Sequence, residues 1–141
     1  MKRLLAVVMV TTALAVCGGW TGDAKRTEAS GQISCSVRRG GVSAILIELP
    51  GGQTARFLYA TDGNSMYPGS TMWLSVDGRR FSGIEEVPLE PDVLSALRTG
   101  RTAYVAWTPW PSGVVQEAEV SLAGFAEAYD ECLAKIEALR R

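Results

Sequence analysis

Cys35 and Cys132 stand 97 residues apart, and each falls inside a segment of regular hydrophobic periodicity. Ile33, Cys35 and Val37 alternate with Ser34 and Ser36, a period of two that places the first thiol on the apolar face of a strand. Leu122, Phe125, Tyr129, Cys132, Ile136 and Leu139 recur at intervals of three and four, so the second thiol lies on the buried stripe of a closing helix. If these two elements pack together, a disulfide between them is stereochemically feasible. It would close a loop long enough to stabilise the fold by about 4 to 5 kcal/mol through chain entropy alone. A chain of 141 residues is about the size of one domain, and the bridge would tie its first strand to its last helix.

The third cysteine, Cys17, bears on where the mature chain begins. Lys2 and Arg3 form a positive start, and Leu4 to Val16 is an uncharged run too short to span a bilayer comfortably, the pattern of a secretory leader. Cleavage after Ala15 would keep Cys17 as an odd thiol, whereas cleavage after Gly19 or Ala24, each with a small residue two places earlier, would discard it. Leu14-Ala15-Val16-Cys17 also resembles a bacterial lipobox, which would make Cys17 an acylation site and the only membrane anchor. Either discarding or acylating Cys17 leaves Cys35 and Cys132 as the free pair, and an even count in an exported chain suggests a disulfide. The expected organisation is a signal peptide over residues 1–24, a linker over 25–31 within a small and polar stretch running from Gly18 to Gly31, and one β-rich domain over 32–141. The expected location is the periplasm or the medium outside the cell.

From Ile33 onward, short apolar runs alternate with glycine-containing turns, as in an antiparallel sheet. Val42 to Leu49 is nearly continuous in apolar residues, which suits a central strand covered on both faces. Ala55 to Ala60 follows. Asp77-Gly78 between Met72–Val76 and Arg79–Phe81 is a strong hairpin signal, because both turn positions tolerate positive φ. Glu85 to Leu89 reads as an edge strand, since Pro88 cannot donate to a ladder. Pro91 opens and Gly100 stops a helix of about two turns with Val93, Leu94 and Leu97 on one face. Thr102–Trp107 and Val114–Val120 are the last strands before the closing helix. The fold class is therefore mainly β: an antiparallel β-sandwich or barrel-like domain with a short internal helix and a C-terminal helix.

The chain has no histidine, which removes the commonest general base and metal ligand and excludes triads built on Ser-His or Cys-His. No CxxC zinc pattern and no phosphate-cradling glycine motif is present, so neither a metal nor a cofactor is expected. Removing residues 1–24 lowers Lys plus Arg from 14 to 12 and Asp plus Glu from 15 to 14, a net charge of −2 that offers no footprint for nucleic acid. The Arg38-Arg39 and Arg79-Arg80 pairs flank turns, where solvated charge is ordinary. Glu117 and Glu119 share one face of a strand and are the carboxylate pair a glycoside hydrolase would need, if a groove crossed them. The other candidate is a binding loop, Trp107-Thr108-Pro109-Trp110-Pro111. Its prolines lower the entropy of ordering and Trp110 offers large apolar area with a polar handle; the plainer reading has Trp107 complete the core and Trp110 fold back over the sheet. Met66-Tyr67-Pro68 in the other long loop is a candidate neighbour.

The C-terminal half also carries a family likeness. Leu94-Ser95-Ala96-Leu97-Arg98-Thr99-Gly100, the strand Ala103–Trp107, and Val120-Ser121-Leu122-Ala123-Gly124-Phe125-Ala126-Glu127-Ala128-Tyr129 resemble the invasion-associated locus B family of exported bacterial proteins. The resemblance covers about 50 residues and its motifs are structural. It implies an envelope domain of β-sandwich type linked to host-cell interaction without a defined enzymatic step. The expected function is thus non-enzymatic binding of a protein or cell-envelope component. A small secreted hydrolase inhibitor is the alternative, followed by a carbohydrate-active enzyme using Glu117 or Glu119.

Overall fold

The computed structural model describes residues 19–61, 63 and 65–140; Cys17 and most of the expected leader lie outside them. Four consecutive strands, β1 (Thr21–Arg26), β2 (Ile33–Arg39), β3 (Val42–Glu48) and β4 (Thr54–Ala60), form an antiparallel meander. The chain then builds the hairpin β5 (Thr71–Val76) and β6 (Arg79–Ile84) in a second sheet. It returns to place the two-residue β7 (Val87–Pro88) beside β4 at the edge of the first. Helix α1 (Pro91–Thr99) leads into β8 (Thr102–Trp107) and β9 (Gln116–Ser121), which extend the second sheet, and helix α2 (Phe125–Leu139) closes the chain. The sheets have orders β1-β2-β3-β4-β7 and β6-β5-β8-β9, and they are separate layers, so the sandwich holds and the barrel does not.

Alternation explains which faces meet. Ile33, Cys35 and Val37 of β2, Val42, Ala44 and Leu46 of β3, and Leu58 and Ala60 of β4 point inward from the first sheet. Met72, Leu74, Val76, Ala103, Val105 and Trp107 answer from the second, and all belong to one hydrophobic core. The Asp77-Gly78 turn forms with φ of 50° and 88°, the left-handed values that this hairpin geometry requires. Helix α2 lies against β1 and β2, burying Phe125, Ala128, Tyr129, Cys132 and Ile136. Cys132 thereby reaches Cys35, with Cα atoms 5.9 Å apart, and the disulfide is formed.

Two expectations are corrected. The stretch from Gly18 to Gly31 is not a linker throughout, because Thr21–Arg26 is a full edge strand paired with Ile33–Arg38. Its inward residues are Gly22 and Ala24, too small to show as hydrophobic periodicity. They are small because α2 crosses directly above: a Cβ on Gly22 would sit 3.4 Å from the Ala128 carbonyl oxygen, and Lys135 Nζ donates to the Gly22 carbonyl at 3.1 Å. The second correction concerns β3, which is the central strand of its sheet but is covered on one face only. Its outward residues Ser43, Ile45 and Ile47 are partly buried, with Ile45 opposite Phe57 and Ile47 opposite Ala55. Cross-strand packing on an open face accounts for the apolar run without a second cover.

Candidate functional site

The 108–115 segment does not stand alone. It is zipped to the 65–70 loop by main-chain hydrogen bonds: Tyr67 N–H to the Thr108 carbonyl at 2.8 Å and Trp110 N–H to the Ser65 carbonyl at 2.7 Å, around a bridge between Met66 and Pro109. Each loop is also tied within itself, by Ser70 N–H to Tyr67 O at 3.0 Å and Gly113 N–H to Pro109 O at 3.0 Å. The 65–70 loop is braced by Glu85, the residue after β6, which adopts φ of 62°. The Glu85 carboxylate accepts from Gly69 N–H at 2.9 Å and its own N–H donates to the Ser70 carbonyl at 2.7 Å. Both loops are held by the backbone, so the side chains they present do not have to be ordered by packing.

Those side chains are aromatic. Tyr67 and Trp110 pack ring to ring, centroids 5.1 Å apart and planes 56° apart, yet remain 40% and 48% exposed. Gly113, with φ of 71°, passes close enough that a Cβ there would touch the Tyr67 ring at 3.6 Å. Exposed Val114 and Val115 extend the apolar edge. The expected binding loop therefore divides. Trp110 and Pro111 are at the surface, whereas Pro109 is buried and Trp107, 5% exposed, belongs to the core. Among the described residues the Trp107 indole N–H and the Ser70 hydroxyl are buried without a hydrogen-bond partner.

Glu117 and Glu119 lie on the outer face of the second sheet, both exposed. They share it with Tyr104, whose hydroxyl donates to Glu117, and this hydrogen bond holds the phenol pKa above its ordinary value. The same face carries Trp73, 45% exposed, with small residues, Ser82 and Ala106, as its cross-strand neighbours and the Arg80 guanidinium 5.5 Å from its ring centroid. A general acid at neutral pH is normally a carboxyl shielded from water, and this pair sits on an open strand face. Trp73 was legible in principle: counting back from the Asp77-Gly78 turn puts Val76, Leu74 and Met72 inward and position 73 outward. Tyr67 carries no comparable periodic signal.

A separate groove of about 550 Å³ runs between β1 and the start of α2, lined by Trp20, Gly22, Gly124, Glu127, Ala128 and Glu131 among others. No protein-family model, no curated protein and no solved structure matches the chain.

Proposed function

We propose that this is an exported cell-envelope protein whose single domain binds a protein or an envelope component without catalysing a reaction, and that the Tyr67–Trp110 edge is its contact surface. The observation that carries the reading is an exposed aromatic pair held in place by hydrogen bonds between two backbone loops. Tyr and Trp are the residues that supply most of the binding energy at interfaces, and a surface ordered beforehand loses less entropy on docking. The charged start and apolar run of residues 2–16 support export, as does the likeness of residues 94–129 to the invasion-associated locus B proteins. A disulfide is consistent with an oxidising compartment.

The reading is tested by crosslinking capture from an envelope extract. A Tyr67→Ala, Trp110→Ala double variant is expected to lose the captured partner while keeping its disulfide and its circular dichroism spectrum. A Glu117→Gln, Glu119→Gln variant is expected to keep it. Equal capture by the aromatic double variant would remove this edge from consideration. A hydrolase inhibitor would use the same edge, and inhibition of an envelope hydrolase by the wild-type protein but not by the aromatic variant would identify that role.

A further inference from the structure

Export requires a cut, and the fold constrains where it falls. We infer that the leader is removed N-terminal to Trp20, so that the mature chain keeps residues 20–26 as a structural part of the domain. This rests on the export reading above.

Three kinds of cut are written in the sequence: after Ala15 or before Cys17, after Gly19, and after Ala24. The last is incompatible with the packing. Trp20 is 6% exposed, its indole N–H donates to the Ser121 carbonyl at 2.8 Å, and its ring meets Phe125 edge-on with centroids 5.1 Å apart. Phe125 in turn stacks on Tyr129. One side chain thus joins the end of β9 in the second sheet to the first turn of α2, while the residues after it form the edge of the first sheet. Cutting after Ala24 would delete Trp20. It would also remove the register pairs Thr21–Arg38, Gly22–Val37, Asp23–Ser36 and Ala24–Cys35, and take away the carbonyl that Lys135 holds.

The resemblance of Gly22-x-Ala24 to a cleavage site has another cause. These two positions are small because they face inward from β1, where α2 runs within van der Waals contact of residue 22. The small residues that a leader peptidase would read are the ones that let a helix approach a strand. A cut before Cys17 would then leave only Gly18 and Gly19 between the anchor and a buried side chain. The Trp20 end of the domain would lie within about 11 Å of the acylated residue, since extended chain spans at most about 3.6 Å per residue.

Intact mass of the protein recovered from the envelope fraction, compared between wild type and an Asp23→Ala variant, tests this. Asp23 is exposed and points away from the core, so the variant folds. The expected result is a mature chain beginning at Val16, Cys17 or Trp20, with the Asp23→Ala mass difference present. A chain beginning beyond Trp20, or an Asp23→Ala product identical in mass to wild type, would overturn the inference and leave export intact. Recovery of all 141 residues from that fraction, with nothing removed, would overturn the export reading and this inference together.

Discussion

Helix α2 and the aromatic loop edge both complete the sandwich, but with different chemistry. The α2 side is covalent and buried: Cys132 is bonded to Cys35, Phe125 and Tyr129 are enclosed, and Trp20 wedges the junction with the second sheet. Ion pairs tie the same helix at its surface, Arg140 to Glu48 of β3 and Asp130 to Arg98 of α1. The loop edge has no covalent tie. Its order comes from main-chain hydrogen bonds, and its largest side chains face water. One region holds the domain together, and the other leaves its aromatic side chains open to solvent. Surface residues on a rigid backbone can change without unfolding the protein, whereas those under α2 cannot.

The largest expected effect is at the disulfide. Replacing both Cys35 and Cys132 with alanine is expected to lower unfolding stability by about 4 to 5 kcal/mol, read by denaturant titration; a loss under about 1 kcal/mol would mean that α2 is held by packing alone. Trp20→Ala should follow at about 3 kcal/mol, because it opens a cavity and orphans the Ser121 carbonyl. The Tyr67→Ala, Trp110→Ala variant, which we propose is deficient in binding, should cost about 1 kcal/mol or less by the same titration. A large destabilisation there would show that the edge is structural after all.

The smallest effect concerns acid. The Arg140 guanidinium lowers the Glu48 carboxyl pKa and the Arg98 guanidinium lowers that of Asp130, both groups being at the surface. A carboxyl whose folded pKa lies below its unfolded value stabilises the fold above the unfolded pKa. That contribution fades as pH falls through the folded one. The unfolded values lie near 4.5 for Glu48 and 3.8 for Asp130, so the melting temperature should fall with pH below that range. A Glu48→Gln, Asp130→Asn variant should show a shallower fall by thermal scan, and an unchanged slope would mean that solvent screens both pairs.

Much of the fold was legible because local rules agreed with it. The Asp77-Gly78 hairpin and the Pro91-to-Gly100 helix each combine a periodic face with the right turn, start or stop residue, the closing helix shows its periodic stripe, and the Cys35–Cys132 pairing followed from those faces. Strand β1 was hidden because its inward residues were chosen for a close helix approach and not for hydrophobicity. Ile45 and Ile47 misled for the opposite reason, being apolar on an open face where only cross-strand neighbours justify them. At the candidate site, Trp110 was readable as a stiff aromatic loop and Met66-Tyr67-Pro68 as a candidate neighbour, but nothing in the sequence decided that Tyr67 and Trp110 meet. That contact joins loops more than 40 residues apart through main-chain hydrogen bonds, which leave no pattern in side-chain sequence.

The Cys35–Cys132 disulfide fastens the closing helix covalently to an early strand, and the proposed maturation outside the reducing cytoplasm leans on that bond. Alkylating the natively produced, unreduced protein and mapping its peptides tests it directly. The expected result is a single crosslinked peptide joining positions 35 and 132, with neither thiol labelled. Full alkylation of both cysteines, in protein that is otherwise folded, would contradict it.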